Sequence, residues 1–379
     1  MRFSNKTIWE KKRIKDFCEV NPKTEELEDE FIYIDLESVS KGCLLSKNII
    51  SKTNAPSRAQ RVLTNNDILF QCVRPYQMNN LLFNAENADF QYVASTGYAQ
   101  IRTQENPSFV YHLLHSPNFN KEVMLRCTGS SYPAITSSDL GDIEVYICGV
   151  GEQQKIGHFL DLIDRRIAVQ NKIISKYETL IKGIYHEFFS KPADYAIKIK
   201  DLIIKGKAGG TPSSTVARYY NGDIPFLSIS DMTKQGKYVS HTEKHINESG
   251  IEDSSAWIVP SNSLIFSMYA SVGLVCINTV PLATSQAMFS MVLKDCRMIE
   301  YIYYYLNFFR DTKIHRHIET GTQSNINAET VRNIEIPFQS NHSKLVETIN
   351  SIEKRLNNEK DMLSLLVDLK AYLLSKLFI

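Results

Sequence analysis

The sequence predicts an α+β fold: two strand-rich modules, each followed by one long helix. The two helices pair as an antiparallel coiled coil, and the halves form a pseudo-twofold internal repeat. Three observations predict it. The 379 residues exceed one ordinary domain and suit two with a helical element. Two distant segments carry the same heptad seam. The stretches before those seams are short alternating apolar runs broken by turn residues.

The first element is a module over residues 1–150. Phe31-Ile32-Tyr33-Ile34 and Asp67-Ile68-Leu69-Phe70 read as strands, and Phe109 to Arg126 as a helical patch. A Thr128-Gly129-Ser130 turn then leads through Ile135 and Leu140 to Ile143-Glu144-Val145. The second element, residues 151–191, is a long helix. Leu160, Ile163, Ile167, Gln170, Ile174, Tyr177, Ile181, Ile184 and Phe188 recur at steps of three and four, which is a coiled-coil seam.

The third element, residues 192–340, repeats the first. Ile199-Lys200-Asp201-Leu202 mirrors Ile14-Lys15-Asp16-Phe17. The run Ile224 to Ile229 and Ser263-Leu264-Ile265-Phe266 read as strands, and Ile299 to His317 as helical. Thr320-Gly321-Thr322 leads through Ile326 and Val331 to Ile334-Glu335-Ile336-Pro337. The fourth element, residues 341–379, is a second long helix. Its seam is the first one shifted by 189 positions: Ile349, Ile352, Leu356, Glu359, Leu363, Leu366, Lys370, Leu373 and Leu377. Both seams carry a polar residue at the same place, Gln170 and Glu359. A charge at Ile167 or Leu356 is expected to collapse the helix pair.

Composition bounds the function. The hydrophobic share of 43% and the charged share of 22% describe a soluble globular chain. A net charge of +1 counts mildly against a strongly basic nucleic-acid binder, although a local stripe can still hold phosphates. No two of the seven cysteines form a C-x-x-C pair, so a zinc ribbon or disulfide framework is not expected. The N-terminus lacks a signal-peptide apolar region and no run suits a membrane span, so a cytoplasmic location is expected.

Motifs for chemistry on this chain are missing. There is no Walker-type phosphate loop and no G-x-S-x-G elbow. Asn21-Pro22-Lys23 lacks the aromatic of the amino-methyltransferase motif. His112/His115, His241/His245 and His315/His317 lack metal-ligand spacing, so neither a metal nor a catalytic residue is assigned. Two similar modules spaced by a helix of about 55 Å form a caliper. Such a spacing suits two half-sites about one turn apart on a DNA duplex.

The run G-E-Q-Q-K-I-G-H-F-L-D-L-I-D-R-R-I from Gly151, and T-L-I-K-G-I-Y-H-E-F-F after it, resemble the central conserved region of specificity (S) subunits of Type I restriction–modification enzymes. Gly209-Gly210-Thr211-Pro212-Ser213 and Gly222 to Met232 look like the opening of that family's target-recognition domains. Thr320 to Pro337 looks like their end. The first module has Cys18-Glu19-Val20-Asn21-Pro22 where the G-G-T-P-S opening would stand, and the second helix lacks E-Q-Q-K-I.

The resemblance implies a non-enzymatic, host-defence subunit that binds a bipartite double-stranded DNA target. It would hold methyltransferase (M) and restriction (R) subunits, with S-adenosylmethionine, ATP and Mg on those partners and no cofactor on this chain. Candidate DNA-contacting residues are polar side chains placed near loops. In the first module they are Arg58, Arg61, Arg74, Tyr76, Gln77, Ser130, Ser131 and Tyr132. In the second they are Lys207, Thr211, Ser213, Tyr269, Ser271, Gln323, Ser324 and Asn325. The rival reading is a protein–protein scaffold with two modules spaced by a coiled coil. Steep salt dependence would separate DNA binding from peptide docking.

Overall fold

The structure is a computed structural model that describes residues 8–85, 89–317 and 325–378. The chain divides into two compact units, residues 1–173 with 359–379, and residues 174–358. Each long helix is shared: the first runs Val150–Phe189 and the second His342–Leu377, so every unit holds a segment of both.

In the first unit, strand Glu10–Arg13 pairs antiparallel with Glu144–Ile147, closing the module where the chain enters and leaves it. Between them lie two four-stranded sheets. One has the order Asn48–Ser51, Glu30–Ile34, Gln91–Ser95, Ala59–Val62; the other Cys18–Val20, Tyr98–Thr103, Ile68–Gln71, Leu81–Leu82. The strand-rich module is therefore built on two sheets.

The second unit repeats most of these pairings, without a counterpart of Ala59–Val62 among the described residues. Tyr195–Lys198 pairs with Glu335–Phe338. Ile203–Ala208, Met288–Leu293, Ser263–Ser267 and Val275–Asn278 are neighbours in that order, with Tyr238–Val239 added at the edge. Ile224–Leu227 lies between antiparallel Lys244–Ile246 and parallel Ala283–Thr284, as Glu30–Ile34 lies between antiparallel Asn48–Ser51 and parallel Gln91–Ser95. Even the short helices Ile14–Phe17 and Ile199–Leu202 match: the amides of Ile14 and Ile199 donate to the carbonyls of Ile143 and Ile334, each at 3.0 Å.

Local chemistry explains where elements stop. The helical patch from Phe109 to Arg126 is two helices, Pro107–Leu113 and Pro117–Arg126, because Pro117 cannot continue the first and suits the first turn of the second. Asn106 and Ser116 cap them, accepting from the amides of Phe109 and Phe119. The strand at Ile224 ends at Leu227, two residues before the expected limit. Ser228 forms a capping box with Asp231 there and starts helix Ile229–Gln235. The patch from Ile299 is a helix to Thr312 and a 3-10 turn at Ile314–Arg316.

The long-helix segments pack antiparallel in the first unit. Lys370 Nζ lies 2.5 Å from Asp164, and Gln170 donates to the carbonyl of Glu359 at 3.0 Å and to its carboxylate. Leu160, Ile163, Ile174, Leu356 and Leu373 are buried, while Ile167, Tyr177, Ile184, Ile352, Leu363 and Leu366 are half-buried. A charge at Ile167 therefore retains access to water, and the damage expected of that substitution belongs to the fully buried positions. The helices also dock on their own modules. Phe109 meets Phe378 with ring centroids 5.3 Å apart. Gln153, of the E-Q-Q run, is fully buried and donates to Glu105 at 2.9 Å and to the Cys148 carbonyl at 2.7 Å. In the second unit, Gln339 donates to the Phe188 carbonyl at 3.0 Å.

Candidate nucleic-acid interface

Each unit presents one loop face built in the same way. In the first, strand Ile68–Gln71 runs out into a tight loop over residues 72–80 whose 3-10 turn is Pro75–Gln77. Arg74 and Met78 bracket that turn in the left-handed region, at φ 55° and 52°. This is an unfavourable conformation for both, so the surroundings must impose it. Gln71 does much of that. Its side chain is buried, donates to the Val73 carbonyl and to Gln77 Oε1 at 2.8 Å each, and accepts from the Asn79 amide at 3.2 Å. Asn80 accepts from the Gln71 amide at 2.8 Å.

A second loop, 128–134, completes the face. Thr128 and Ala134 exchange backbone hydrogen bonds at 2.9 Å, and the Arg74 amide donates to the Pro133 carbonyl at 2.8 Å. The Arg74 guanidinium stacks over the Tyr132 ring, 4.5 Å from its centroid. Thus Arg74, Tyr76, Gln77 and Tyr132 are brought together, with Ser130 and Ser131 exposed beside them. Arg58 is exposed, and its carbonyl accepts from Thr96 at 2.9 Å. Arg61 sits on strand Ala59–Val62 rather than on a loop. It is half-buried with an unpartnered Nε, and burial pushes its pKa down against the influence of nearby Cys72. No Asp or Glu occurs in residues 55–64, 72–80 or 126–134, so Arg58, Arg61 and Arg74 have no acidic neighbour within these segments although the chain is nearly neutral.

The floor of this face is held uncharged. Burial pushes the Cys72 thiol up to about 11. Burial likewise lowers His115 to about 4; its Nδ1 donates to the Tyr111 carbonyl at 2.8 Å and its Nε2 lies 3.3 Å from the Asn80 amide nitrogen. The neutral form is stabilised by folding. That contribution is complete above the ordinary histidine value near 6.5 and is lost as pH falls toward the folded value of about 4. Urea unfolding is therefore expected to show about 2 kcal/mol less stability at pH 5 than at pH 7 from this group. The loss should shrink in a His115→Gln variant, and an unchanged loss there would assign it to other groups.

In the second unit, Ser263–Ser267 runs into the matching loop. Ser267 is fully buried and donates to the carbonyls of Tyr269 at 2.7 Å and Ala270 at 3.1 Å; Ala270 and Ser271 both have φ 38°. Tyr269 bridges Asn325, and the Ile326 amide donates to the Met268 carbonyl at 3.0 Å, just as Ile135 donates to Cys72 at 3.1 Å. The G-G-T-P-S opening has a steric reason. A Cβ at Gly209 would stand 2.1 Å from the Thr284 carbonyl oxygen, and one at Gly210 2.3 Å from the Ala256 nitrogen. This close approach sets Thr211 against Gln286, to which its hydroxyl donates. Ser213 pairs with Thr215 at 2.8 Å, and Lys207 lies exposed on strand Ile203–Ala208. Residues 203–220 and 267–274 contain no Asp or Glu. Gln323 and Ser324 lie outside the described residues, as do Thr320 to Thr322.

Sequence reasoning missed the residues that shape these loops, Gln71, Asn80, Ser267 and Gln286. A signal existed for two of them: Ile68-Leu69-Phe70 and Leu264-Ile265-Phe266 are each followed by one buried polar residue, Gln71 and Ser267. Among the described residues no group of three His, Cys, Asp or Glu could hold a metal. Nor is any helix long and apolar enough to cross a membrane.

Two copies of one module, each offering a polar loop face and each carried on long helices, define a duplicated recognition protein. The sequence profile described as the Type I restriction modification DNA specificity domain matches residues 7–179 and again 193–361. The chain belongs to that family, with two recognition domains that confer DNA sequence specificity. The family is generally non-catalytic.

The specificity subunit of the Type I enzyme HindI from Haemophilus influenzae is 23% identical over 425 aligned positions, covering 88% of this chain and 92% of that one. The MjaIX specificity subunit from Methanocaldococcus jannaschii is 28% identical over 193 residues, 50% of this chain; the match spans 44% of that subunit. Among solved structures, a chain described in work on assembly and conformational transition of the type I R-M system superposes with a TM-score of 0.60 at 20% identity, covering 97% of this chain and 96% of that one. The S subunit of the Type I system from M. genitalium gives 0.58 at 16% identity, covering 100% and 98%. These two likenesses support the fold.

Proposed function

We propose that this chain is the target-selecting subunit of a cytoplasmic Type I restriction–modification enzyme, in which the loop face of each unit reads one half of a bipartite DNA site. M subunits bound to it would use S-adenosylmethionine to methylate an adenine in each half-site. R subunits would add ATP- and Mg-dependent translocation and cleavage. The observation that carries this reading is the twinned face: equivalent strands Ile68–Gln71 and Ser263–Ser267 run into loops held by equivalent backbone contacts, Ile135 to Cys72 and Ile326 to Met268, with a different set of polar side chains in each unit. Equivalent scaffolds with unlike side chains suit two unlike half-sites.

The test is the adenine methylome of cells carrying this chain and its methyltransferase, against cells lacking this chain alone. Loss of methylation at one split motif supports the reading. An unchanged methylome with an active methyltransferase overturns it in favour of a protein scaffold. Within the complex, Arg74→Ala is expected to weaken DNA binding by about 1–3 kcal/mol and to relax the sequence requirement in one half-site only. Binding titrations against targets varied base by base check this, and equal loss on every sequence would reduce Arg74 to a phosphate contact.

A further inference from the structure

Where each module rests on a long helix, the two units use the same positions with opposite chemistry. The shift of 189 positions that relates the two seams matches Asp161 and Asp164 with Asn350 and Glu353, and Gly157 with Val346. In the module helices, the run Phe109-Val110-Tyr111-His112 matches Tyr301-Ile302-Tyr303-Tyr304, and so Ser108 matches Glu300. In the first unit the Ser108 hydroxyl donates to the Asp161 carboxylate at 2.7 Å, and His112 Nε2 lies 2.9 Å from the same oxygen. In the second unit the Asn350 amide donates to the Glu300 carboxylate, also at 2.7 Å. The carboxylate has changed sides: it belongs to the long helix in one joint and to the module in the other.

The surroundings fit each joint to its own module. Lys237 and the Tyr238 hydroxyl also donate to Glu300, at 2.8 Å and 2.6 Å, and Lys237 and Tyr304 donate to Glu353, at 2.7 Å and 2.8 Å. Asn350 Oδ1 is buried without a partner among the described residues, so Glu300 orients that amide. Gly157 makes a second difference. A Cβ there would stand 2.8 Å from Asn106 Oδ1 and 3.0 Å from the Phe109 nitrogen, at the capped start of helix Pro107–Leu113. Its counterpart Val346 carries a branched side chain and lines a cavity with Met298 and Tyr301, which match Asn106 and Phe109.

We infer that these joints are keyed: the helix-facing surface of each module accepts its own long-helix segment and rejects the matching segment of the other half. A duplicated chain gains from such a device, because surfaces that fit either segment let a module dock on the wrong helix, within one chain or between two copies. Each wrong pairing is excluded in its own way. On the first segment, the second module would bring Glu300 onto Asp161 with Asp164 beside it, three carboxylates to the one ammonium of Lys237. On the second segment, the first module would bring the helix start at Asn106 onto the Val346 side chain, at the distance where Gly157 leaves no space for even a Cβ.

The experiment exchanges the keys within the full chain and follows amide hydrogen exchange of helices Pro107–Leu113 and Ile299–Thr312, each serving as the reference for the other. Asn350→Asp, which puts the first segment's residue under the second module, is expected to raise the opening constant of Ile299–Thr312 by about ten-fold or more and to leave Pro107–Leu113 unchanged. Asn350→Ser keeps a donor and adds no charge, and is expected to raise it far less. Glu300→Ser added to Asn350→Asp rebuilds the hydroxyl–carboxylate pair of the first unit at an unchanged number of carboxylates, and is expected to recover most of the loss. Gly157→Val is expected to loosen Pro107–Leu113 by a similar factor, although replacing a glycine inside a helix ordinarily stabilises it. Equal losses from Asn350→Asp and Asn350→Ser would overturn the inference. So would an Asn350→Asp/Glu300→Ser chain no better protected than Asn350→Asp alone, or a Gly157→Val chain as well protected as the unaltered one. These readouts need neither DNA nor a partner subunit, so they stand or fall apart from the function proposed above.

Discussion

Replacing Lys237 with methionine is expected to destabilise the second unit by about 3–5 kcal/mol, the usual consequence of stranding a buried charge. Lys237 is 10% exposed, and its Nζ lies 2.8 Å from Glu300, 2.7 Å from Glu353 and 2.6 Å from the Tyr304 hydroxyl. Through Glu353 it ties the module to the second long helix. Methionine fills much of the same volume but leaves two carboxylates facing each other with 19% and 21% exposure. Burial pushes the Glu300 carboxyl up; hydrogen bonds from Lys237, Tyr238 and Asn350 more than offset this and hold it below its ordinary value of 4.5. In the unaltered chain Glu300 therefore adds stability above that ordinary value, lost as pH falls through the lower folded one. In the variant the balance at Glu300 tips the other way, because burial pushes its carboxyl up and the Lys237 hydrogen bond that opposed this is gone. The deficit in urea unfolding should shrink between pH 7 and pH 5. A deficit that stays constant would refute the electrostatic account and leave one of packing.

Leu160→Asp is expected to cost more than the loss of packing alone. Leucine-to-alanine changes at such sites cost about 2–5 kcal/mol, and aspartate adds an unpaired charge at a fully buried position. Asp161 and Asp164 stand close by on the same helix, so the new carboxylate also meets charge of its own sign. The first unit should fail to fold, or should fold only at low pH. Leu162→Asp, two residues on and 47% exposed, should change stability by no more than about 0.5 kcal/mol. Parallel thermal melts decide the matter; equal losses at both positions would contradict the seam assignment.

What was legible in the sequence follows the range of the interactions involved. The long helices showed themselves because a seam repeats every three or four residues and needs no distant partner to be read. The duplication was legible because Ile14-Lys15-Asp16-Phe17 and Ile199-Lys200-Asp201-Leu202 recur in the same place before each module. The parallel pairing of Glu30–Ile34 with Gln91–Ser95 was not, since it joins strands some sixty residues apart through register alone. The loop faces were half legible. Arg74, Tyr76, Gln77 and Tyr132 were picked out as exposed polar residues, yet their meeting depends on left-handed backbone at Arg74 and Met78, where no glycine marks the turn. The exposure of Leu162 and Leu369, 47% and 44%, was hidden beside the seam, because periodicity finds apolar positions without telling a covered one from an open one.

Each module begins and ends on one pair of adjacent antiparallel strands, Glu10–Arg13 with Glu144–Ile147 and Tyr195–Lys198 with Glu335–Phe338. The chain thus enters and leaves a module at the same edge, and the following long helix starts within a few residues of that exit. A module is in effect a cassette with its terminals side by side. Its interior can be exchanged for another of different length without moving either terminal, provided the closing strand pair is kept. One recognition domain can then be replaced while its twin and the helices that carry both are left unaltered.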